Sequence, residues 1–438
     1  MSRKTDVLVV GAGFAGLVAA RELTRSGRKV VVLEGRDRIG GRTWTDSRLG
    51  QELELGGAWV HPLQPHVWAE LTRYGLGVVP SPDARRFLVA APAGIRELTP
   101  DTALELLEQG LGGLVAEARE ALPYAFDPLF ARDLVTELDL TSVADRLEVL
   151  RLGEDARMII EAFCATGFQA RPEDVSLAHV ARLMALAQWD AATDLEAAAT
   201  FKIQGGTRAL AEAIATDGTA TIELDTEVVE VTSHDEGATA RTATGEVYQA
   251  KAVIVTVPLN ALPGITFRPE LPKPKRAAVE QGQPSRGIKL WARIRGPVEP
   301  FTGFASPTVS PLSVAQYEYE VEGDSVLVLF GDDASRIGPE DREAVQAVVR
   351  RWLPDAEVIA VDGHDWTNDR FSRGTWANLR PGQLTGVIPE LQQPEGPVHF
   401  AGSDYATAWL GYIDGAIESA LVTAARIRTD VTGRRTAD

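Results

Sequence analysis

At the start of the chain, the pattern of hydrophobic positions changes from that of a strand to that of a helix and back to that of a strand. The apolar run "TDVLVV" at residues 5–10 predicts a buried strand, residues 14–26 carry a helical period, and "KVVVLE" at 29–34 predicts a second strand. A glycine-rich turn separates the first strand from the helix. Two strands joined by a helix in this way form a βαβ unit, so we expect a parallel sheet.

The remainder of the chain shows helical periods first and strands afterwards. Helical patterns cover residues 101–121 and 141–198, and strand patterns follow at 221–232 and 251–257. After a proline-rich segment at 258–274, the next predicted strands are "GIKLWARI", "SVAQYEYE", "SVLVLFGD" and "AEVIAVDGHDW". A long amphipathic helix is predicted to begin at or just after Gly411, and the polar tail 428–438 is expected to fray.

This order of elements predicts a fold of the α/β class with two domains, because 438 residues exceed what one core usually holds. One domain has a Rossmann-type parallel sheet core, and the other is an α+β domain built on a mixed sheet. We assign 1–80, 199–284 and 391–438 to the first domain, and 81–198 and 285–390 to the second. Ligand sites favour the interface between domains.

Composition and charge narrow the class of protein. Apolar residues make up 45% of the chain and charged residues 24%, as in a soluble globular protein. The formal net charge of −18 argues against nucleic acid or an anionic membrane as a partner. No stretch approaches the roughly 20 apolar residues of a membrane span. The single cysteine, Cys164, excludes an internal disulfide and favours a cytoplasmic location. A homodimer is one option for the assembly.

Three glycines follow the first strand in "VVGAGFAG", at Gly11, Gly13 and Gly16. The first permits a tight turn, the second lets the backbone approach a pyrophosphate, and the third lets the helix pack against the strand. The helix N-terminus then offers free N–H groups to the phosphates. Glu34 ends the second strand, where a carboxylate accepts hydrogen bonds from a ribose. This arrangement predicts a dinucleotide, either NAD or FAD.

A second glycine-rich segment bears on the choice between NAD and FAD. The segment "RIGGRTWT" at 38–45 has an Arg-x-Gly-Gly-Arg-x-x-Thr pattern that a nicotinamide site does not require, and Arg36 and Arg42 are candidates to meet phosphate oxygens. This segment resembles the second signature of the FAD-dependent amine oxidases. The family pattern continues in order through "LELGGAWVHP", "IQGGTRALAEAIA", "VIVTVPLNAL" and "GIKLWARI". Later segments resemble the bacterial hydroxynicotine oxidases: "HDWTNDRFSRGTW", "RPGQL", "HFAGSD" and "GYIDGAIESA".

The resemblance implies that the first domain binds FAD and that the last helix points its N-terminus at the flavin. Reduced flavin gathers negative charge around N1 and O2, which a helix N-terminus stabilises. Many mammalian members bind flavin covalently through a cysteine where this chain has Thr375, so non-covalent FAD is expected. The predicted cofactor-binding residues are Gly11, Gly13, Gly16, Glu34, Arg36, Gly41, Arg42, Gly57, Ala58, Trp59, Val228, Trp366, Gly402, Ser403, Asp404 and Ile413.

The resemblance also implies a flavin-dependent amine oxidase that converts a primary or secondary amine to an imine and reduces O2 to H2O2. Trp376 and Tyr412 match the two walls of an aromatic cage, and Lys289 matches a lysine that holds a water near flavin N5. From the strand pattern alone, Lys289 reads as a solvated side chain and Trp376 as a half-buried aromatic. The predicted substrate-binding residues are Tyr317, Thr166 and Trp409.

Other functions stay open at this point. The hydroxynicotine oxidases carry an asparagine near Thr166, which argues against nicotine itself as the substrate. An L-amino-acid oxidase would need a cation for the substrate carboxylate, for which Arg85 or Arg86 is available. A desaturase of hydrophobic rings is a third option. A binding protein with the related fold of the Rab GDP-dissociation inhibitors is the non-enzymatic alternative. The six histidines lack metal-ligand spacing, so no metal is expected.

Overall fold

An eight-stranded sheet with a parallel centre carries the start of the chain. The computed structural model describes residues 3–433. The strands of this sheet are β1 (Arg3–Val10), β2 (Val30–Leu33), β10 (Thr221–Glu223), β11 (Val228–His234), β12 (Gly237–Thr242), β13 (Val247–Val255), β14 (Thr266–Arg268) and β20 (Val398–Phe400). Their order is β10-β2-β1-β13-β12-β11-β14, and β20 pairs with β13. The pairs β10–β2, β2–β1, β1–β13 and β13–β20 are parallel, which confirms the predicted core.

A mixed seven-stranded sheet forms the second layer. Its strands are β7 (Arg86–Ala91), β8 (Gly94–Leu98), β15 (Ile288–Ile294), β16 (Phe301–Phe304), β17 (Val314–Val321), β18 (Asp324–Gly331) and β19 (Val358–Gly363). The order is β19-β15-β18-β17-β16-β7-β8, antiparallel except for the parallel pair of β16 and β7. The four strands predicted between 287 and 366 are all present, and the predicted mixed sheet is confirmed.

Helices cover both sheets, and two small sheets complete the fold. The small sheets contain β3 (Thr45–Arg48), β4 (Gln51–Glu54), β5 (Trp59–Val60), β6 (Val78–Pro80) and β9 (Phe201–Ile203). The helices are α1 (Phe14–Arg25), α2 (Pro65–Tyr74), α3 (Pro100–Leu114), α4 (Arg132–Leu140), α5 (Val143–Val149), α6 (Glu154–Phe168), α7 (Leu177–Leu186), α8 (Ala191–Ala199), α9 (Gly206–Thr216), α10 (Lys273–Gln281), α11 (Arg342–Val349), α12 (Gln383–Gly386), α13 (Ile388–Leu391) and α14 (Ile413–Gly433). Within residues 3–433, no helix has the length and apolar character needed to cross a membrane.

The predicted helical stretch 141–198 is divided into four helices, α5 to α8. Gly153 caps the start of α6, and Pro172 interrupts the chain between α6 and α7, because a residue before proline disfavours the helical region. The last helix begins at Ile413, as predicted. The tail predicted to fray is helical as far as Gly433, and the residues after it lie outside the described range.

The first sheet is buried on both faces, which explains the unbroken apolar runs of β1 and β2. On one face, Val9 and Val32 belong to a core that includes Leu17 of α1 and Ile417 of α14. On the other face, Leu8 belongs to a core shared with the helices α3 to α7. The first and last helices therefore cover the same side of the sheet.

Candidate active site

A cavity of about 810 Å3 lies between the two sheets. Val10 and Leu33, at the carboxyl ends of β1 and β2, border it on one side, and Lys289 and Phe330 of the second sheet border it on the other. The carboxyl edge of a parallel sheet is where ligands bind in open α/β folds. The cavity thus lies where the βαβ start of the chain predicts a cofactor.

The glycine turn after β1 lines this cavity. Gly11 has φ +105°, and a Cβ there would lie 2.6 Å from Thr256 Oγ1. Gly13 lies directly against the glycine pair of the segment 38–45: a Cβ on Gly41 would lie 3.2 Å from the Cα of Gly13. Gly16 does not line the cavity; a Cβ there would lie 1.9 Å from the carbonyl oxygen of Gly11. Gly16 therefore permits close packing of α1 on the turn, in line with the packing role predicted for the third glycine.

Glu34 lines the cavity beside the glycine turn and is buried. Its carboxylate accepts hydrogen bonds from the backbone N–H of Ala12 at 2.6 Å and of Arg36 at 2.9 Å. These bonds fix the carboxylate against the turn. Oxygen lone pairs remain for a diol, since an ionised carboxylate offers about four acceptor positions.

Arg42 joins three separate segments at the cavity wall. Its guanidinium donates to the carbonyl oxygen of Thr375 and to Ser403 Oγ, both at 2.8 Å, and forms an ion pair with Asp404. Arg36 pairs with Asp369 at 2.8 Å. Both arginines line the cavity, but both are already neutralised by a carboxylate. These contacts fix both guanidinium groups in the cavity wall.

The N-terminus of α14 points into the cavity, which Gly411, Tyr412 and Ile413 all line. Gly411 has φ +87°, and a Cβ there would lie 2.5 Å from the carbonyl oxygen of Ala377. As the first residue of the helix, Ile413 has an N–H that the helix itself does not satisfy. The remaining predicted cofactor residues also line the cavity: Gly57, Ala58, Trp59, Val228, Trp366, Gly402, Ser403 and Asp404.

Lys289 is buried in the cavity wall, with 3% of its surface exposed. Its Nζ donates to the carbonyl oxygen of Gly56 at 3.0 Å and lies 4.6 Å from the centre of the Trp59 ring. Burial lowers the pKa of Lys289 to about 7, although the nearby Glu54 opposes this shift. The solvated side chain indicated by the strand pattern is therefore wrong, because this face of β15 packs against Glu54, Gly56 and Trp59.

The two predicted cage aromatics come from distant segments and line the same cavity. Trp376 is half-buried, and its Nε1 donates to the carbonyl oxygen of Gly167 at 2.9 Å. Tyr412 is half-buried, and its ring packs edge-on against Trp409 with a centroid distance of 5.1 Å. Desolvation raises the pKa of Tyr412, so its hydroxyl is neutral.

The three predicted substrate-binding residues have different outcomes. Thr166 lines the cavity, and its Oγ1 is buried without a hydrogen-bond partner within residues 3–433. Tyr317 is not among the lining residues: it packs into the core of the second sheet, and its neighbour Gln316 faces the cavity instead. Trp409 is 1% exposed, donates to the carbonyl oxygen of Leu63, and stands behind Tyr412. Direct substrate contact by Tyr317 or Trp409 is thus corrected.

Other residues reach the cavity without having been predicted. Thr256 lies inside the quoted segment "VIVTVPLNAL", and its Oγ1 donates to the carbonyl oxygen of Val10 at 2.9 Å. Asp194, on α8, carries no motif that distinguishes it. Arg85 and Arg86 do not line the cavity, and Arg86 pairs with Glu97. The cation expected for an amino-acid carboxylate is therefore not supplied by these arginines.

The cavity fits a flavin dinucleotide. Two glycine turns border the cavity, a helix N-terminus faces the interior, and Thr375 Oγ1 is buried without a partner among the described residues. Aromatic side chains and a buried lysine line the part beyond the turns. Fold and site together define a dinucleotide-dependent oxidoreductase.

The chain belongs to the family of flavin containing amine oxidoreductases, whose model matches residues 14–428. It is 36% identical over 420 residues to nicotine dehydrogenase of Pseudomonas putida (strain DSM 28022 / S16), with 95% of this chain and 86% of the relative covered. It is 33% identical to (S)-6-hydroxynicotine oxidase of Paenarthrobacter nicotinovorans, with 95% and 97% covered. These findings confirm the predicted family, the enzyme class and the FAD cofactor, and favour an enzyme over a binding protein.

Solved structures agree with this assignment. A structure of wild-type putrescine oxidase bound to putrescine superposes with a TM-score of 0.82 at 26% identity, covering 98% of this chain and 100% of that chain. Cyclohexylamine oxidase from Brevibacterium oxydans IH-35A gives a TM-score of 0.79 at 22% identity, which shows the shared fold.

Proposed function

We propose that this enzyme oxidises a primary or secondary amine to an imine in the part of the cavity bounded by Trp376, Tyr412 and Lys289. The observation that carries this proposal is their convergence. Three side chains from β15, from the segment after β19 and from the start of α14 line one cavity together with both glycine turns. An amine held between the two rings is in reach of a cofactor held by the turns.

Bound FAD would supply the two-electron oxidation of the amine at its α-carbon. The contribution of the chain is orientation: Trp376 is fixed by its bond to Gly167, and Tyr412 is backed by Trp409. Fixed aromatic rings hold a small substrate in one orientation. The orientational entropy of the substrate is then lost on binding, which lowers the activation barrier of the chemical step. An apolar, water-poor cage also favours the neutral amine, whose lone pair assists loss of the hydride.

Lys289 serves the turnover of the cofactor by holding a water or a charge beside it. Its Nζ is buried between Gly56 and the Trp59 ring, so the side chain has a single position. With its pKa lowered to about 7, Lys289 exchanges its proton near neutral pH. A group of this kind suits proton delivery during reoxidation.

FAD is held without a covalent bond. Cys164 is fully buried and is not among the cavity-lining residues, and Thr375 stands immediately before Trp376. Burial also raises the pKa of the Cys164 thiol, which suppresses the thiolate needed for attachment. The ribose is assigned to Glu34 and the flavin O2 to the N–H of Ile413.

The names of relatives leave the electron acceptor open, since two are named dehydrogenases and others, such as putrescine oxidase, are named oxidases. We propose O2, reduced to H2O2. The residues 81–198 and 285–390 are proposed to form the substrate domain, which the division of strands between the two sheets supports. The cytoplasmic location and the homodimer stay predictions.

The test is a panel of amines chosen from the substrates that relatives name: putrescine, cyclohexylamine, nicotine, (S)-6-hydroxynicotine and pseudooxynicotine. Each amine is mixed anaerobically with the FAD-loaded enzyme, and flavin bleaching is followed at its visible absorbance. We expect at least one of the primary or secondary amines, putrescine, cyclohexylamine and pseudooxynicotine, to bleach the flavin, and air to restore the colour with formation of peroxide. Nicotine and (S)-6-hydroxynicotine are tertiary amines and test whether the site also accepts that class. An enzyme that no amine in the panel reduces would contradict the proposal, and reduction without peroxide in air would contradict O2 as acceptor.

A further inference from the structure

Asp194 is a buried carboxyl group that faces the cavity and has no partner. It lies in the first turn of α8, has 8% of its surface exposed, and lines the cavity. Within residues 3–433 its carboxylate makes no hydrogen bond or ion pair, and burial raises its pKa to about 7. Burying a carboxyl group without a partner costs stability, so the position is unexplained by folding.

The surroundings of Asp194 place it between solvent and the cage. One turn further along α8, Ala197 packs with Trp409 in a cluster that Tyr412 completes. Asp194 itself acts electrostatically on the Tyr412 hydroxyl. The next two residues, Leu195 and Glu196, are exposed and also line the cavity, so α8 borders an opening.

The other carboxylates of the cavity either bind protein groups or, at Asp83 and Glu196, are exposed. Glu34 accepts backbone N–H groups, Asp404 pairs with Arg42, and Glu227 pairs with Arg370 at 3.0 Å. Asp194 acts through its charge on the hydroxyl of Tyr412, just before α14, and the exposed Glu196 on the same helix as Asp194 acts on His61. The neighbouring helices α3 and α7 present apolar side chains to the cavity: Leu104, Leu107, Leu183 and Met184.

We propose that Asp194 receives the ammonium form of the amine substrate beside Tyr412 and takes one proton from it, so that a neutral amine enters the cage. This inference rests on the proposed amine oxidation and adds a residue and a step to it. A simple amine is an ammonium ion at neutral pH, whereas loss of a hydride requires its free lone pair. A lone carboxylate in an apolar wall attracts the cation, and the wall then favours the neutral pair over two charges.

The step is balanced within the substrate and Asp194. The N–H bond of the ammonium breaks and its electron pair stays on nitrogen, while an O–H bond forms on the carboxylate. The charges +1 and −1 become two neutral groups, and no oxidant is required. The proton returns to water through the opening beside Glu196 after the product leaves, which restores the carboxylate.

The experiment is anaerobic stopped-flow reduction of the FAD-loaded enzyme by the fastest amine of the panel, at about pH 7.5 and, by pH jump, at about pH 10.5, where about half of a simple amine is neutral. Wild type is compared with Asp194→Asn, with the conservative Asp194→Glu, and with Glu108→Gln, an exposed carboxyl on α3. FAD content and Tm are measured for each protein. The readout is the second-order rate constant for reduction.

We expect Asp194→Asn to lower this constant on the order of a hundredfold near pH 7.5 and to approach wild type near pH 10.5. Asp194→Glu should recover part of the loss, and Glu108→Gln should match wild type. An Asp194→Asn enzyme with a wild-type rate at both pH values, or with the same loss at both, would overturn the role of Asp194 and leave amine oxidation standing. A wild type that no amine reduces would overturn both.

Discussion

The Nζ of Lys289 lies 3.0 Å from the carbonyl oxygen of Gly56 and is enclosed by aromatic rings, with the Trp59 and Trp291 centroids at 4.6 and 5.1 Å. Glu54 acts on this lysine through its charge but does not form a salt bridge with it among the described residues. The side chain is therefore held by one neutral acceptor and by ring faces. Such a position is suited to a lysine that changes its charge during turnover.

Lys289→Met should slow one half-reaction markedly, either reduction by amine or reoxidation by O2. Methionine keeps the length and the apolar stem of the side chain while removing the charge and the donor. Stopped-flow measurement of both half-reactions identifies the slowed step. Lys251→Met, at an exposed lysine paired with Asp6, is the matched control. Wild-type rates in both half-reactions would remove Lys289 from the mechanism.

Lys289 should also make stability depend on pH. Its pKa is about 7 in the folded chain and about 10.4 when unfolded, so the unfolded state binds more protons between these values. Wild-type stability gains from this group as the pH rises from about 7 to about 10. The Tm difference, Lys289→Met minus wild type, should therefore be most positive near pH 6 and shrink toward pH 10. A difference that is constant across this range would show an unshifted lysine.

Trp376→Ala and Tyr412→Ala should each slow flavin reduction by about tenfold or more, equal to about 1.4 kcal/mol or more. The reason is lost orientation, which lowers the rate and does not merely weaken binding. Tyr412→Phe keeps the ring and should be mild. Because both rings act on one substrate, the double variant should cost less than the sum. Alanine variants that keep FAD and react at the wild-type rate would show that the rings only pack.

The flavin should be released when the purified enzyme is precipitated with acid. Cys164 is buried outside the cavity, and a threonine, Thr375, precedes the cage tryptophan. Absorbance of the supernatant and of the washed, redissolved pellet measures the partition of the colour. Yellow colour retained in the pellet would establish a covalent bond and contradict the proposal.

Gly411→Ala should displace the start of α14 and weaken FAD binding. An alanine at φ +87° costs about 1–2 kcal/mol, and its Cβ would lie 2.5 Å from the carbonyl oxygen of Ala377. We expect a lower Tm and a lower ratio of flavin to protein absorbance. Gly386→Ala is the control, because a Cβ there meets nothing within 4 Å. Full flavin content in Gly411→Ala would argue that the helix start does not support the cofactor.

Local patterns predicted much of the fold because the parallel strands are continuous apolar runs and the glycine turn has fixed spacing. The sequence did not predict that β7 and β8 join the strands 288–363, since that pairing joins segments about 200 residues apart and leaves no local period. It also could not separate the faces of β17. Neither face of the segment "SVAQYEYE" is wholly apolar or wholly polar, so the pattern does not show which face meets the cavity. Whether Gln316 or Tyr317 lines the cavity depends on that face.

Among the site residues, too, those with a local sequence signal could be predicted and those set by tertiary packing could not. The residues of the glycine turns were predicted because backbone geometry demands glycine there, whereas Trp409 and Asp194 could be assigned only from their burial. The sequence around an aromatic in a motif is the same whether its side chain faces a cavity or packs in the layer behind it. The same holds for a carboxylate on a helix. Tertiary packing decides between these outcomes.

The packing of α1 against α14 has a consequence for the biosynthesis of the enzyme. Leu17 and Val18 of the first helix share a core with Ile417 and Ala420 of the last. At ribosomal rates, synthesis of the intervening chain takes on the order of tens of seconds. Throughout that interval the part of this core that α14 supplies is missing, and so is the helix N-terminus that borders the cavity. The cavity is therefore complete only after the last part of the chain has been synthesised.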